Sequence, residues 1–326
     1  MDSYRNSAYH SAKVNIREAS YLKMKTGALP VELIDLVTFS AVARNGGITR
    51  AAEELKTVQS NVTQRVKALE AEIGTALFER HSRGMTLTGA GRRLFPYAQR
   101  MAALAREATL AAQDDGEPKG PLAIGSMETT AAVRLPTLFA EFHRRFPKVT
   151  LTLTTATTGD LIAGVLNATL DGAFVAAPIE HADLVATVAF HEELVLVTPK
   201  RFTSLAGLRA GTPESGPTAL VFRSGCTYRQ RLEQLFTDFG WPSAARFELG
   251  TLDGMVGCVA AGMGVSVLPR AVVERSEQRK DVSLHTIDAP WSQVDTLFIQ
   301  RLSAHQYSAL EGFTSCLTGA DRVIAA

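Results

Sequence analysis

From position 33 to position 73, apolar residues recur three and four places apart, and two short breaks interrupt the spacing. The first break is Asn45-Gly46-Gly47 and the second is Lys56-Thr57-Val58. This spacing places the apolar side chains on one face of an α-helix, and an Asn-Gly pair is a common helix end. The pattern therefore predicts three short helices that bury a shared core, over residues 33–45, 48–55 and 59–73.

The third helix would expose a polar face, because its apolar members Val62, Val66 and Leu69 lie on the opposite side. Glutamine and asparagine form paired hydrogen bonds with adenine, arginine does so with guanine, and serine or threonine suits bases and phosphates. Such a face can read bases in the major groove of DNA. An ordinary solvated helix has the same composition, and the face taken alone favours that second interpretation.

The segment after the third helix changes this balance. Residues 78–88 read as two short extended pieces around Gly84, and Arg80 and Arg83 are placed to contact phosphates beside a groove. Helix, turn, helix and basic hairpin, in this order, predict a winged helix-turn-helix over residues 30–88. The predicted DNA-binding residues are Thr49, Arg50, Gln59, Ser60, Asn61, Thr63, Gln64, Arg65, Arg80 and Arg83.

The string ITRAAEELKTVQSNVTQRVKALEAEIGTALFERHSRGMTLTGAG resembles the N-terminal motif of the LysR-type transcriptional regulators, and the resemblance continues more loosely to the C-terminus. It implies a sequence-specific regulator that binds double-stranded promoter DNA as a homodimer or homotetramer, bends the DNA and changes the recruitment of RNA polymerase. It also implies a small-molecule effector in the C-terminal half, with no other cofactor. That half is more weakly similar to the YofA-like branch of the family.

Residues 1–29 lack the continuous apolar segment of a signal peptide and are expected to form a flexible extension, with Met24 as an alternative translation start. The longest uncharged apolar run, Met255 to Leu268, is too short to span a bilayer and should form a core helix and a strand. Three irregularly spaced cysteines fit neither a disulfide framework nor a zinc site. We therefore expect a cytoplasmic protein without membrane contact or bound metal.

Residues 89–119 are predicted to form a linker, with one long helix from Gly89 to about Gln113 and then a polar hinge. Apolar residues in this helix alternate three and four apart, which is the spacing of a coiled-coil seam. Packing of the same helix on its own domain is the alternative, but the polar hinge separates it from the next domain. The predicted dimerisation residues are Leu94, Tyr97, Met101, Leu104 and Ala108.

Beyond Gly120 the pattern alternates between strands and helices, which predicts an α/β domain with a mainly parallel sheet. The family resemblance implies two lobes of the periplasmic-binding type (type 2), joined by two crossing strands near residues 175–178 and 296–301. Lobe 1 would span about residues 120–176 and 300–326, and lobe 2 about residues 177–299. Early elements are predicted at 122–125, 130–146, 149–154, 161–170 and 172–176, and later strands at 194–197, 220–222, 265–268 and 294–299.

Ligands of such sheets lie between lobes, at the carboxyl ends of strands. Several loops at those ends carry hydroxyl groups and open helices, where free N–H groups favour an anion. Each Ser or Thr taken singly is more typical of a helix cap, but four loops converging on one cleft favour a ligand site. The predicted effector-binding residues are Ser126, Met127, Glu128, Thr129, Thr157, Thr158, Ser224, Cys226, Thr227, Thr251 and Leu252.

Cys226 and Glu128 leave two questions open. Cys226 lies where peroxide-sensing members of the resembled family keep a reactive cysteine, and a helix start beside arginines would lower its pKa. No second cysteine follows in that helix, so contact with the effector or packing in the cleft is the favoured interpretation. Glu128 argues against a simple carboxylate effector unless it points away or pairs with an amine, and a cationic or zwitterionic effector is the alternative.

Two other classes of protein were weighed against a regulator. An enzyme is disfavoured, because the sequence has no GxSxG, HExxH or P-loop motif, and no catalytic residues are predicted. A transport-type solute-binding protein shares the two-lobed architecture but needs export and lacks a basic N-terminal half. Residues 80–106 have six arginines and no acidic residue, which is the kind of local field that attracts phosphate.

Overall fold

The computed structural model describes residues 31–320, except residues 82–83, 224, 243 and 305. The predicted extension at 1–29 and the predicted site residues Arg83 and Ser224 lie outside the described residues. The chain divides into two compact units that meet between Ala102 and Ala103, inside one long helix. Each unit is described by itself below.

The first unit is a three-helix domain with a two-stranded wing. Helix α1 ends at Gly46, whose φ of 66° lies in the left-handed region that glycine adopts without strain. This break and the following elements confirm the predicted winged helix-turn-helix. The elements are α1 (Leu33–Asn45), α2 (Ile48–Glu54), α3 (Gln59–Ile73), β1 (Phe78–His81), β2 (Gly84–Leu87) and the first half of α4 (Gly89–Gln113).

Small and large side chains share the core of this unit. Ala51 and Ala52 of α2 are buried beside Phe39, which is fully buried, and the ring centre of Phe39 lies 5.2 Å from that of Phe78 in the wing. The start of α4 also packs tightly, because a Cβ added at Gly91 would lie 2.2 Å from the carbonyl oxygen of Leu77. Close approach at this position therefore requires glycine.

The second unit is an α/β domain that begins with the end of α4. Its seven-stranded sheet has the order β10, β6, β11, β5, β3, β4, with β9 paired to β6, and β7 and β8 form a separate pair. The elements are β3 (Gly120–Ser126), α5 (Glu128–Val133), α6 (Leu135–Arg145), β4 (Val149–Thr155), α7 (Thr158–Leu166), β5 (Gly172–Ala176), β6 (Leu184–Pro199), α8 (Leu205–Ala210), β7 (Ala219–Val221), α9 (Thr227–Asp238), β8 (Arg246–Glu248), α10 (Leu252–Ala260), β9 (Ser266–Pro269), α11 (Arg270–Glu274), β10 (Val282–Thr286), β11 (Gln293–Arg301) and α12 (Ser308–Ala320).

The predicted βαβαβ arrangement is confirmed, because β3 pairs in parallel with both β4 and β5. The expectation of a mainly parallel sheet was wrong. Strand β11 runs antiparallel to β5 and β6, and β6 runs antiparallel to β9 and β10. Strand β11 lies between β5 and β6 and runs against both, so antiparallel strands extend the parallel part of the sheet, as is common in large mixed sheets.

Two long strands connect the lobes. Residues 184–193 of β6 pair with β11, whereas residues 194–199 pair with β9 and β10. The first crossing strand is therefore β6. The prediction that it lies near residues 175–178 was wrong, since β5 ends at Ala176 and the cis peptide Ala177–Pro178 follows it. Residues 185–188 near the start of β6 are all exposed, so this half of the strand lacks the buried apolar pattern by which residues 194–197 were predicted.

The prediction of a single helix over residues 130–146 was also wrong. The segment forms α5 and α6, which meet at Arg134. Pro136 lies in the first turn of α6, where its missing N–H is tolerated, and its ring would clash with the carbonyl of the preceding turn if one helix continued through it. The break separates α5, which follows β3 almost directly, from the longer helix α6.

Candidate DNA interface and ligand cleft

Helix α3 presents a polar face along its first two turns. Gln59, Ser60 and Gln64 are exposed, and Asn61 and Thr63 are half-buried. Asn61 donates from Nδ2 to Thr57 Oγ1 at 2.9 Å, and Thr63 donates from Oγ1 to the carbonyl of Gln59 at 2.8 Å. These contacts hold two short side chains in place while the amides of Gln59 and Gln64 stay free to reach bases. Thr49 and Arg50 of α2 are also exposed.

Arg65 differs from its neighbours on α3. Its Nη1 donates to Asp35 Oδ1 of α1 at 2.9 Å, and the Asp35 side chain is only 9% exposed. The guanidinium therefore pairs with a buried carboxylate of its own domain. That Arg65 contacts DNA stays a prediction, and the ion pair shows that one nitrogen of its guanidinium is already bound within the domain.

The wing is fixed to α3 by one carboxylate. Glu70 Oε1 accepts hydrogen bonds from the backbone N–H groups of Leu77 and Phe78, at 2.8 and 3.2 Å. Strand β2 is held from the other side, since Met85 N–H donates to the carbonyl of Gly46 at 2.9 Å. Arg80 is exposed on β1. Its charge is thus presented from a strand whose position relative to α3 is set by backbone hydrogen bonds.

The long helix α4 has an apolar stripe that none of the described residues covers. Tyr97, Met101 and Leu104 are 64, 48 and 63% exposed, and Ala108 is exposed beside them. Leu94 was predicted in the same seam, but it is half-buried against the core of the first unit. The stripe that remains for a partner therefore consists of Tyr97, Met101, Leu104 and Ala108.

The C-terminal half of α4 is anchored to the second unit by ion pairs. Arg106 Nη2 lies 2.6 Å from Asp171 Oδ1, just before β5. Arg301 Nη2, at the end of β11, lies 2.6 Å from Glu107 Oε2. The same helix half is thus joined to a sheet strand of lobe 1 and to one of the two strands that connect the lobes.

A cavity of about 300 Å³ lies between the two lobes of the second unit. It is enclosed by the start of α5 and the β4–α7 loop on one side, and by the loops around β7 and the start of α9 on the other. Of the predicted effector residues, the lining includes Met127, Glu128, Thr129, Thr157, Thr158 and Cys226. Residues that complete the lining are Thr155, Ala156, Asp160, Phe222, Arg223, Tyr228, Leu249 and Gly250.

Three hydrogen bonds join the lobes around this cavity. Glu128 Oε1 accepts from the backbone N–H of Leu252 at 3.1 Å, and so the carboxylate caps α10 of the opposite lobe. The hydroxyl groups of Thr129 and Tyr228 lie 3.4 Å apart, and those of Thr158 and Thr227 lie 3.5 Å apart. One Glu128 oxygen is therefore already engaged, which answers how an acid is accommodated in the first cleft loop.

Four predicted effector residues do not line the cavity. Ser126 is fully buried, and its hydroxyl donates to the carbonyl of Met127. Thr227 lies at the lobe contact, and Thr251 caps α10 by accepting from the N–H of Gly254. Thr251 and Leu252 line a separate cavity, of about 490 Å³, behind Glu128. The capping interpretation, which each Ser or Thr favours singly, is therefore correct for Thr251.

Several lining residues were not among the predicted effector-binding residues, and two of them, Arg223 and Asp160, carry charge. The Arg223 guanidinium makes no hydrogen bond or ion pair with any residue that the structure describes, and Arg223 lies on the lobe 2 side. Asp160 accepts from the hydroxyl of Thr157 at 2.8 Å, on the lobe 1 side. The Thr157-x-x-Asp160 spacing is that of a capping box, and this signal was available in the sequence.

Cys226 lies in the cavity wall, as the favoured interpretation expected. Burial raises the pKa of its thiol, and the backbone N–H groups of Arg229 and Tyr228 oppose that shift without reversing it. The expected lowering by a helix start is thus outweighed by desolvation. Because the thiolate is the reactive form, a raised pKa opposes peroxide sensing at this position.

Together these features define a DNA-binding regulator that also has a domain of the ligand-binding type. They are the polar face of α3, the wing, and the two lobes with a cavity between them. Residues 33–92 match the family model of the bacterial regulatory helix-turn-helix protein, lysR family, and residues 115–321 match that of the LysR substrate binding domain. The chain belongs to the LysR family of transcriptional regulators.

Curated relatives match most of this chain over nearly all of their own length. The chain is 43% identical over 277 residues to the HTH-type transcriptional regulator YofA of Bacillus velezensis, covering 85% of this chain and 94% of the relative. It is 41% identical over 278 residues to the HTH-type transcriptional regulator GltR of Bacillus subtilis, covering 85% and 93%. These relatives are transcriptional regulators, not enzymes, and the resemblance to the YofA-like branch is confirmed.

Solved structures of full-length family members have the same fold. CbnR, a LysR family transcriptional regulator, superposes with a TM-score of 0.64 at 25% identity, covering 89% of this chain and 99% of that one. CbnR has also been solved in complex with its target DNA, and that structure superposes with a TM-score of 0.63. A full-length OxyR variant from Pseudomonas aeruginosa has a TM-score of 0.65 at 24% identity, covering 88% of this chain and 94% of that one, which shows likeness of fold.

The described residues contain neither a metal-binding cluster nor a membrane-spanning helix. No cluster of three or more His, Cys, Asp or Glu side chains in that part of the chain has the geometry to hold a metal ion. Among the same residues, none of the helices combines the length and apolar character that a membrane span requires.

Proposed function

We propose that this LysR-type regulator responds to a small molecule bound in the interlobe cavity. The observation that carries the proposal is a cavity of about 300 Å³ whose wall is built from both lobes and crossed by three interlobe hydrogen bonds. This volume lies at the lower end of the range for small-molecule sites. A ligand that contacts both walls stabilises one arrangement of the lobes over others.

The charges of the wall favour a small zwitterion. Arg223 supplies a cation without a partner among the described residues, and the N-terminus of α7 adds a partial positive charge. Asp160 and the unengaged oxygen of Glu128 supply acceptors for an ammonium group. A compound with one carboxylate and one ammonium satisfies both signs, whereas a simple carboxylate leaves two acids facing it. The zwitterionic alternative is therefore preferred for the effector.

The proposed DNA contacts come from α2, α3 and the wing. Gln59, Ser60, Asn61, Thr63 and Gln64 would face base edges and sugar-phosphate, while Thr49, Arg50 and Arg80 would hold phosphates. Two such domains, presented by a dimer through the exposed stripe of α4, would meet half-sites in successive major grooves. Members of the family form oligomers on promoter DNA. We propose that this chain acts in the cytoplasm as a dimer or tetramer, and that ligand binding changes its contact with RNA polymerase.

A thermal-shift comparison of full-length protein tests the effector class. The probes are α-amino acids, each compared with its deaminated acid and its decarboxylated amine. We expect at least one zwitterion to raise the melting temperature, because a ligand that binds the folded state stabilises it by mass action. Neither one-charge analogue of that compound should reproduce the shift.

Two variants test which residues bind the carboxylate and the ammonium group of the zwitterion. Arg223→Met should remove the shift of the zwitterion, and Asp160→Asn should reduce it, because each loses one charged contact. Lys280→Met, an exposed change far along the chain just before β10, is the matched control and should leave the shift intact. A full shift with the deaminated acid alone, retained in Asp160→Asn, would contradict the zwitterion assignment.

A further inference from the structure

A second cavity, of about 520 Å³, is lined by residues of β6, α9 and β11 and shares no lining residue with the interlobe cavity. Its floor is formed by the Ala177–Pro178 connection that follows β5 and by the beginning of β11. Trp291 and Arg231 form one wall, and Arg231 lies on α9 three residues after Tyr228, which lines the first cavity. One helix therefore contributes to both cavities, through side chains one turn apart.

Most charges in this second cavity are already matched. Glu192 accepts from Arg134 Nε and Nη2 at 2.8 and 3.0 Å, and Asp295 Oδ1 lies 2.6 Å from His191 Nδ1. Arg231 is different, since its guanidinium has no hydrogen bond or ion pair with any described residue, and its buried Nε has no acceptor. An arginine that is partly desolvated without an acceptor loses hydrogen bonds that water would otherwise supply.

The position of the Arg231 guanidinium is nevertheless fixed. Its central carbon lies 5.7 Å from the ring centre of Trp291, in the range of a cation–π contact. The rest of the lining consists of the apolar residues Ala177, Pro178, Pro290 and Val294 and the polar residues His191, Glu192, Gln293 and Asp295. The cavity thus combines one oriented guanidinium that no described residue pairs with, two carboxylates that already have partners, and an apolar part of the wall. An unpaired guanidinium beside apolar surface can hold a small organic anion.

We infer that this second cavity binds a small organic carboxylate, whose carboxyl group pairs with Arg231 and whose apolar part contacts Pro178 and Trp291. The site is separate from the proposed effector site and needs no ligand there. It also lies against β6 and β11, the two strands that connect the lobes. A ligand held there touches the hinge of the domain.

Tryptophan fluorescence of the full-length protein tests the inference. The chain has two tryptophans, and Trp291 lines the cavity while Trp241 is buried in a hydrophobic core of lobe 2. Titration with phenylacetate should give a saturable change in emission that Trp291→Phe abolishes. Phenylacetamide, which has the same shape without the charge, should give no saturable change at the same concentrations.

Calorimetric titration of variants then assigns the contact. Arg231→Met should weaken phenylacetate binding at least about tenfold, because a charge-assisted pair is lost, and Arg231→Lys should weaken it less. Arg223→Met, in the first cavity, is the matched control and should leave the affinity unchanged. A melting temperature of the second unit close to that of the unchanged protein shows that each variant is folded.

Three results would overturn the inference. The first is the absence of saturable binding by both phenylacetate and hexanoate up to about 10 mM. The second is equal binding of the acid and its amide, which removes the role of charge. The third is loss of binding in Arg223→Met but not in Arg231→Met, which assigns the carboxylate to the interlobe cavity.

Discussion

Arg65 of the recognition helix donates to the buried carboxylate of Asp35, 2.9 Å away on the first helix. The two residues are 30 positions apart, so the contact fixes α3 against α1 across the middle of the domain. An arginine in the sequence of a recognition helix suggests guanine readout, but a carboxylate buried at 9% exposure needs its own cation. From this ion pair we expect Arg65 to orient the helix and not to read a base.

Arg65→Ala should weaken binding to any DNA by a similar factor, because Asp35 loses its partner and α3 loses its anchor. We expect the first unit to lose about 1–3 kcal/mol of stability, the usual cost of a buried group left unpaired. Fluorescence anisotropy measures the affinity for a duplex selected by the protein and for its scrambled counterpart. Scanning calorimetry measures the stability.

Two variants control this experiment. Gln59→Ala should lose affinity mainly for the selected duplex, since its exposed amide is free to meet a base edge. Asp35→Ala combined with Arg65→Ala should be more stable than Arg65→Ala alone, because no unpaired carboxylate remains. If Arg65→Ala lost affinity only for the selected duplex, the residue would be a base reader after all.

Arg80→Ala should lower affinity equally on selected and scrambled DNA and reduce the slope of log affinity against log salt by about one unit. Arg80 is exposed on β1, and the wing is fixed to α3 through Glu70. Affinities measured between about 50 and 200 mM salt give the slope. Lys280→Ala removes one positive charge from the second unit, and an equal change of slope in that variant would contradict a phosphate contact at Arg80.

Much of the first unit could be predicted from sequence because local signals agree there. Gly46 ends α1 at the predicted break, and α4 has the predicted bounds, Gly89 to Gln113. The side-chain assignments were weaker, because a sequence does not show which polar group is paired. Arg65 finds Asp35 across the fold, and Leu94 turns to the core although it fits the seam spacing.

In the second unit, too, the sequence does not show which distant parts of the chain come into contact. The parallel strands β3, β4 and β5 follow from local periodicity, but β6 changes neighbours halfway along its 16 residues, and no local signal records that change. The cleft loops after β3 and β4 were predicted correctly. Arg223 and Tyr228 were missed because their role depends on which loops the crossing strands bring together.

Leu104→Glu should convert dimers to monomers, because it places a charge in the centre of the apolar stripe on α4. Leu104 is 63% exposed, with Tyr97 and Met101 on the same face. Sedimentation velocity measures the mass, and anisotropy should show weaker binding to a two-half-site duplex. Thr109→Glu adds the same charge to another face of the helix and should leave the dimer intact. A dimeric Leu104→Glu protein would assign the interface elsewhere.

Cys226 should react slowly with iodoacetamide at neutral pH. Burial raises the pKa of its thiol above the ordinary value, so the folded protein holds the thiol form, and the thiolate fraction at neutral pH falls below that of an unfolded chain. Mass spectrometry of the Cys226 peptide gives the rate against pH, with protein in urea as reference. Faster alkylation in the folded protein than in urea at neutral pH would show an activated thiol.

His285 should make the second unit sensitive to acid. It is buried between β10 and β6, with Nε2 2.9 Å from Thr198 Oγ1, and burial lowers its pKa while a hydrogen bond involving the Phe202 backbone opposes the shift. As pH falls below the ordinary value of histidine, the unfolded chain takes up a proton before the folded chain does. Stability from this group is therefore present above that pH and is lost below it, by at most about 1.4 kcal/mol per pH unit.

Comparison of melting temperatures at about pH 7.5 and about pH 5.5, on either side of the ordinary pKa of histidine, isolates this contribution. His285→Gln keeps a side chain that can bond to Thr198 but cannot be protonated in this range, so its melting temperature should fall less between the two pH values than that of the unchanged protein. His143→Gln removes an exposed histidine of α6 and should behave like the unchanged protein. An identical fall in His285→Gln and His143→Gln would assign the acid sensitivity to other groups, because the two variants differ only in whether the lost histidine was buried.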